Sequence, residues 1–248
     1  MALSWSGRRQ LLYTAVAGIA ALVVLVFLYE SFLTSAPSCF NNKQDGTEAG
    51  VDCGGTCALL CPNQTVPAQV LWSRSFQTGL HTYTAAAYIE NRNPGAGAKG
   101  VPYTFDLYDD QNELVLERTG TVDLPPTQNI PIVVPNINVG NRTVTKTLFS
   151  FAVQPVWERT TTPQLPLSSQ LLSTDGSTLE VTISNPTPQD ARHVTVAAVL
   201  YDTQGTARGA SITVLERLLK KSDEPLVFTW PGGVQNIVRA EVVVLPSF

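Results

Sequence analysis

The chain has 248 residues, 44% of them hydrophobic, so it is long enough for two ordinary domains and apolar enough to bury a core in each. Its net charge of -4, with only 16 lysines and arginines, leaves no basic field that could neutralise several phosphates, which excludes nucleic-acid binding. With only two histidines, His81 and His193, a histidine-rich metal centre is excluded as well.

The first element is an uncharged apolar run from Leu11 to Tyr29. As a helix, this run would be about 29 Å long, which matches the hydrocarbon core of a bilayer. It has no polar face that a soluble helix could turn toward water. We therefore expect a transmembrane helix over residues 11–33, preceded by a cytoplasmic tail over residues 1–10.

Charges beside the run predict its orientation. Arg8 and Arg9 precede it, whereas no cation follows before Lys43. By the positive-inside rule the N-terminus stays in the cytoplasm and the bulk of the chain lies outside, as in a single-pass protein of the cell membrane. A cleaved signal peptide is the rival interpretation, but the apolar run is longer than that of a typical signal peptide, so we favour an uncleaved anchor.

All four cysteines, Cys39, Cys53, Cys57 and Cys61, fall within residues 38–62. An exported segment meets an oxidising environment, so we expect these cysteines to form disulfides. Their spacing lacks the paired short gaps of a zinc ribbon, and no histidine lies in the segment to activate a thiol. Four cysteines permit three pairings, and the sequence does not choose among them.

The same segment carries oxygen donors that suit calcium, namely Asn41, Asp45, Glu48 and Asp52. Their spacing does not match an EF-hand loop, and Asn, Asp and Gly also build tight turns without any metal. We expect no cofactor, with calcium at these four residues as the alternative.

The residues from Val51 to Cys57, Val-Asp-Cys-Gly-Gly-Thr-Cys, resemble a small cysteine module of exported bacterial proteins. The first half of the segment departs from that module, because Asn41 and Asn42 stand where the module has Asp-Gly, and Asp45 where it has Asn. An amide in place of a carboxylate weakens the calcium interpretation.

Beyond Pro62 the pattern changes to alternating apolar and polar residues with frequent turn residues, which predicts short strands. This part contains an internal repeat at an offset of ninety-four residues, in which Ile89 and Asn91 correspond to Ile183 and Asn185. Each copy has about ninety residues and six or seven predicted strands, the size of an immunoglobulin-like or fibronectin-like sandwich.

The fold class is therefore mainly β, with two tandem sandwiches behind the helix and the disulfide-rich module. We expect the first sandwich over residues 66–157, a linker over 158–166 and the second sandwich over 167–248. The residues expected on the inner faces are Tyr103, Phe105 and Leu107 in the first copy and Val194, Val196, Ala198 and Leu200 in the second.

One segment conflicts with the repeat. Residues Ile212–Lys221 place leucines on one helical face and would be predicted as a helix in isolation. Their counterpart near Val122 contains Pro125 and Pro126 and cannot be helical, so we predict a strand.

Candidate catalytic residues are few. Both histidines lie at predicted strand starts, outside any hydrolase motif. Acidic residues at strand ends, Asp109 and Asp202, could hold calcium between domains, but Asp-rich hairpin tips are the simpler interpretation. We therefore predict that the chain is not an enzyme.

Leu107-Tyr108-Asp109 and Leu200-Tyr201-Asp202 resemble the signature of the FxLYD-type domain of bacterial envelope proteins. Nearly the whole chain is similar to a family of single-span envelope proteins of small-genome, candidate-phylum bacteria, which share an anchor, the cysteine module and two such domains. That resemblance implies an architecture and no activity.

The sequence thus predicts a membrane-anchored, extracytoplasmic, non-catalytic scaffold or binding protein of the cell envelope. Its expected partners are the bilayer, through residues 11–33, and an envelope protein or a second copy of the chain. The alternatives are a calcium- or carbohydrate-dependent adhesin and, less favoured, a membrane-tethered hydrolase with His81 or His193 in a cleft beside a carboxylate and a hydroxyl.

Overall fold

The structure is a computed structural model, and it describes residues 5–33, 37–126, 128–160, 165, 167–172, 176–231 and 233–245. It is mainly β, with one N-terminal helix, as the sequence predicts. The chain divides into two compact units, Met1–Thr56 and Cys57–Phe248. The first unit contains the helix and most of the cysteine module, and the second contains all of the named strands.

Helix α1 spans Trp5–Leu33. Its stretch Trp5–Glu30, 26 residues, is long and apolar enough to cross a membrane, about 39 Å at the rise of an α-helix. Apart from Gly7, every residue of that stretch is exposed, so no protein core covers it. The helix starts before Leu11 and takes in Arg9, whose guanidinium lies 4.3 Å from the ring centroid of Trp5.

The first sandwich is built from two antiparallel sheets with the strand orders β1-β2-β5 and β4-β3-β6, and a two-residue strand, β7, also pairs with β3. The strands are β1 (Gln69–Gln77), β2 (Thr82–Glu90), β3 (Ala96–Tyr108), β4 (Leu114–Leu124), β5 (Asn129–Asn138), β6 (Lys146–Phe151) and β7 (Glu158–Arg159).

The second sandwich also has two antiparallel sheets, with the strand orders β12-β9-β8 and β11-β10-β13. Its strands are β8 (Leu167–Leu172), β9 (Thr178–Asn185), β10 (Ala191–Asp202), β11 (Ala207–Leu218), β12 (Ser222–Thr229) and β13 (Ile237–Leu245). If β1 to β6 are matched in turn with β8 to β13, the two strand orders are the same, so the internal repeat of the sequence is also a repeat of topology.

The segment Ile212–Lys221 was the one for which the sequence suggested both a helix and a strand. Its residues up to Leu218 belong to β11, so the strand prediction is confirmed for them. It pairs along its length with β10, from Ile212 opposite Ala197 to Leu218 opposite Ala191. Cross-strand pairing therefore outweighs the helical spacing of its leucines.

Each sandwich has its own core, filled by alternate residues of its strands. The inner-face predictions are confirmed, since all seven residues are buried. These are Tyr103, Phe105, Leu107, Val194, Val196, Ala198 and Leu200.

A third apolar cluster lies between the sandwiches, and the sequence analysis did not predict it. Ala86 and Val133 of the sheet β1-β2-β5 meet Ala197, Val199 and Tyr201 of β10. Strands β2 and β10 are therefore buried on both faces: one face fills a core and the other fills this interdomain cluster. The two sandwiches pack sheet against sheet within one compact unit.

The predicted linker, residues 158–166, is only partly described. Its first two residues form β7, in which Glu158 and Arg159 pair with Gly97 and Ala96 of β3, so the linker begins as part of the first sandwich. Residues 161–164 and 166 lie outside the described part of the chain.

Candidate functional site

The cysteine module is oxidised. All four cysteines are disulfide-bonded, which makes two disulfides and confirms the expectation for these residues. Of the four, Cys53, Cys57 and Cys61 are buried. A thiol-dependent active site and a zinc-thiolate site both need free sulfur, so neither is compatible with this state.

The four calcium candidates lie together in one hydrogen-bonded network within the first unit. The carboxylate of Asp52 accepts hydrogen bonds from the backbone N–H groups of Asn41 and Asn42, both at 2.9 Å. Asp45 accepts from the Asn41 side-chain amide at 2.6 Å, and Glu48 accepts from the N–H groups of Asp45 and Asp52 at 3.2 Å. These oxygens act as turn-forming acceptors, and calcium at this site stays a prediction.

The backbone at Gly55, the last residue of the Val-Asp-Cys-Gly-Gly pattern, has room only for glycine. Its φ of +55° lies in the left-handed region, and a Cβ at this position would come within 1.9 Å of the Thr47 carbonyl oxygen. Any side chain would therefore push apart the two limbs of the loop, which are also joined by the Thr47 and Thr56 hydroxyls at 3.0 Å.

The last residues of the module belong to the second unit and pair with its strand β7. The N–H of Leu60 donates to the carbonyl of Trp157 at 2.9 Å, and the N–H of Arg159 donates to the carbonyl of Ala58 at 2.8 Å. The Arg159 guanidinium also donates to the Cys57 carbonyl. Residues 57–60 therefore form a ladder with residues 157–159, at the end of the first sandwich.

A set of aromatic and charged side chains lies beside the interdomain cluster. The rings of Trp72 and Tyr88 stack at 5.6 Å with an interplanar angle of 10°. The Tyr88 hydroxyl donates to the carboxylate of Glu241, whose other oxygen accepts from Arg239 at 3.0 Å. The Arg239 guanidinium lies 4.2 Å from the ring centroid of Tyr201. These contacts join β1 and β2 of the first sandwich to β10 and β13 of the second.

Burial and the nearby carboxylate shift the titration of both tyrosines. Desolvation, followed by the hydrogen bond to Glu241, raises the pKa of Tyr88 well above its usual value. Desolvation and the charge of Glu241 raise the pKa of Tyr201 to about 12. Both phenols are therefore held neutral at the interface.

The two strand-end aspartates each close a hairpin. Asp109 accepts backbone N–H bonds from Gln111 and Glu113 at 3.0 and 2.9 Å, and Asp202 accepts them from Gln204 and Thr206, both at 2.9 Å. Each carboxylate also pairs with an arginine: Asp109 with Arg142, and Asp202 with Arg208.

This geometry supports the turn interpretation of the two aspartates. The arginine is the main cause that lowers the pKa of Asp109, and the Thr206 N–H is the main cause for Asp202.

His193 lines a cleft of 310 Å³ between the two sandwiches. The same cleft is lined by Tyr103, Thr121 and Asp123 of the first sandwich and by Thr195 of the second. One of the two histidines thus shares a cleft with a carboxylate and with hydroxyl groups, which is the arrangement that the hydrolase alternative requires.

The polar contacts of His193 do not assemble a catalytic set among the described residues. Its Nε2 lies 3.3 Å from the exposed carboxylate of Glu216, and the imidazole itself is mostly exposed. Asp123 accepts the backbone N–H of Gly100 at 2.7 Å instead of orienting the imidazole. In the described part of the chain, no hydroxyl is hydrogen-bonded to His193, so nucleophile, base and orienting acid are not linked.

His81 lies in the turn between β1 and β2, where its carbonyl accepts the N–H of Val139 at 3.0 Å, and it does not line the cleft. The tryptophans mark packing: Trp157 and Trp230 belong to the two cores and Trp72 to the interdomain cluster.

Comparisons with known proteins add little. No protein-family model matches the chain, and no curated protein matches it. A solved structure of red sea bream transglutaminase matches with a TM-score of 0.24 and 10% identity, over 73% of this chain and 29% of that chain. The chain thus spans less than a third of that structure, and a likeness this weak carries no argument about fold or activity.

Proposed function

We propose that the chain is a membrane-anchored, extracytoplasmic, non-catalytic scaffold or binding protein of the bacterial cell envelope. The observation that carries the proposal is the exposed apolar helix Trp5–Glu30, which has no protein core to cover it. Lipid is the environment in which such a helix is stable, because its backbone polar groups are satisfied internally.

Two observations support an extracytoplasmic location for the bulk of the chain. Arg8 and Arg9 lie at the N-terminal end of the helix, which favours a cytoplasmic N-terminus. On the other side of the helix, all four cysteines are paired, a state that persists in an oxidising compartment.

Binding by strand addition fits the exposed sheet edges. Strand β13, at the edge of the second sandwich, pairs with β10 on one side, and no described strand pairs with its other side. Open edges of this kind accept an extended segment of an envelope protein or of a second copy.

An experiment on cells tests the topology. We expect a chain with an epitope at each end to migrate at full length, and external protease on spheroplasts to remove the C-terminal epitope while the N-terminal one stays protected. Replacing both Arg8 and Arg9 by Glu should reduce the fraction with this orientation, whereas Arg118→Glu, in strand β4, should not. Protection of the C-terminal epitope, or loss of the N-terminal segment by cleavage, would contradict an N-in anchor.

The calcium-dependent adhesin is the alternative, based on the clustered carboxylates of the module. Asp45 and Asp52 already use their oxygens as acceptors for groups of the same loop. We therefore expect the melting temperature to stay constant when calcium replaces a chelator. A rise that Asp52→Asn abolishes would instead favour the adhesin.

A further inference from the structure

A polar groove of 520 Å³ lies where strands β1 and β6 of the first sandwich meet the start of β11 in the second. Three cationic residues are among those that line it: Arg74 from β1, Lys146 from β6 and Arg208 from β11. Since both sandwiches contribute, the complete groove requires the packing of one sandwich against the other.

The groove is a positive site on an acidic chain of net charge -4. Of the three, Arg208 has a carboxylate partner among the described residues, Asp202 at 2.7 Å. Lys146 lies 5.7 Å from the ring centroid of Tyr108 and forms no ion pair within the described part of the chain. Arg74 forms no ion pair with any described residue. The groove therefore carries an excess of positive charge that would attract anions.

Residues with hydroxyl groups also line the groove, namely Ser73 and Ser75 of β1 and Thr145 just before β6. Thr145 is exposed and Ser75 is half-buried, so a ligand in the groove can reach their hydroxyls.

The edge of β6 that faces away from β3 already accepts a hydrogen bond at this point. The Ser73 hydroxyl donates to the carbonyl of Thr147 at 2.9 Å, on the side of β6 that faces away from β3. A peptide strand would have to displace that hydroxyl in order to pair here. The groove therefore favours a ligand recognised by side-chain cations and hydroxyls over a peptide recognised by backbone pairing.

We infer that this groove binds a segment of an acidic polysaccharide. Arg74 and Lys146 pair with the acidic groups of the ligand, and the serine and threonine hydroxyls bind its sugar hydroxyls. An open, polar groove suits a stretch of polymer better than an enclosed small molecule. The inference deepens the proposed function, and rests on it for the exposure of the groove outside the cell.

The test is a titration of the purified full-length chain in detergent with oligogalacturonate, a hexamer of uronic acid. We expect saturable binding that weakens at least tenfold when Arg74 and Lys146 are both replaced by Gln. The matched control replaces Arg118 and Lys221, two exposed cations outside the groove, by Gln. Its affinity should stay within twofold of that of the parent chain. A neutral hexasaccharide should not bind.

Thr145→Val provides a second measurement, since it removes an exposed hydroxyl that lines the groove and keeps the shape of the side chain. We expect a several-fold loss of affinity for oligogalacturonate with an unchanged melting temperature. Absence of binding, equal loss in the control pair, or equally tight binding of polyglutamate would overturn the inference. None of these outcomes alters the topology measured on cells, so failure here is distinct from failure of the proposed function.

Discussion

Asn91 and Asn185 occupy the same corner of the two sandwiches and form the same hydrogen bonds. Asn91 follows the last residue of β2, and Asn185 is the last residue of β9, so each lies at the end of the second strand of its sandwich. Both are buried. The Asn91 amide donates to the carbonyls of Ala96 and Pro125 at 2.8 and 2.7 Å. The Asn185 amide donates to the carbonyls of Gln189 and Leu218 at 2.9 and 3.2 Å.

The side-chain oxygens of the two asparagines accept corresponding hydrogen bonds as well. Oδ1 of Asn91 accepts the backbone N–H of Asn93 at 2.9 Å, and Oδ1 of Asn185 accepts the backbone N–H of Thr187 at 3.1 Å. Each asparagine therefore shapes the following loop and ties it to the end of the fourth strand of its sandwich. In each corner at least one buried carbonyl needs this donor, that of Pro125 in the first sandwich and that of Leu218 in the second.

We expect Asn91→Ala to lower the free energy of unfolding by about 2–3 kcal/mol, because two buried carbonyls lose their donor. Asn185→Ala should lower it by about 1–2 kcal/mol, because only one of its two acceptors, the carbonyl of Leu218, is buried. Asn→Asp at either position should also destabilise, since a carboxylate cannot donate to a carbonyl. Denaturant titration in detergent measures the change. Asn129→Ala, at an exposed position of β5, is the control and should change stability by less than about 0.5 kcal/mol. Equal effects at Asn129 and Asn91 would contradict this account.

Period-two alternation predicted the cores, because a residue such as Phe105 shows its burial in its local pattern. The second buried face of β2 and β10 had a signal too. Both strands carry consecutive apolar residues, Ala85–Ala87 and Ala197–Leu200, and such runs indicate strands buried on both sides.

Other features could not be predicted, because they depend on contacts distant in sequence. Strand β7 forms only where Glu158 meets Gly97. The basic groove brings together Arg74, Lys146 and Arg208, which no local pattern connects. The cleft beside His193 likewise needs both sandwiches in place.

Disruption of the interdomain cluster should uncouple the sandwiches. Ala197 is fully buried and faces the other sandwich, so Ala197→Lys places an unpaired charge in the interface while both cores stay intact. We expect calorimetry to resolve two unfolding transitions in the variant and one in the parent chain. Val214→Lys, at an exposed position of β11, is the control and should keep a single transition. A single transition in Ala197→Lys would show that the two sandwiches are held together by other contacts.

The interface should weaken in alkali. The pKa of Tyr201 is raised to about 12 in the folded chain, and that of Tyr88 is raised as well, so the unfolded chain loses these protons first. Their stabilising contribution is complete below about pH 10, the usual tyrosine pKa, and is lost as the pH rises toward the folded values.

Replacing both tyrosines by Phe should flatten the dependence of unfolding free energy on pH in that range. The ultraviolet absorbance of tyrosinate follows the titration independently. An unchanged slope in the double variant would contradict the assignment.

The hairpin aspartates should act at the other end of the pH scale. The pKa of Asp202 is lowered in the folded chain, chiefly by the Thr206 N–H and also by Arg208, so its contribution is present above about pH 4 and is lost as the pH falls through the folded value. Asp202→Asn should therefore destabilise the chain at neutral pH, and the difference from the parent chain should shrink in acid. Asp110→Asn, in the other hairpin, should have little effect at either pH. A difference that persists in strong acid would indicate a packing effect instead of the charge.

The oxidised state of the module is the basis for placing it outside the cytoplasm. Alkylation of the denatured chain should modify no cysteine before reduction and four after it, because all four are disulfide-bonded. Reduction before unfolding should lower stability by about 2–4 kcal/mol for each disulfide that closes a loop. The matched control is a chain produced in a reducing cytosol without its helix, which should yield four reactive thiols directly. Four reactive thiols in the chain purified from membranes would remove the main support for an extracytoplasmic module and leave only the charge asymmetry around α1 to orient the protein.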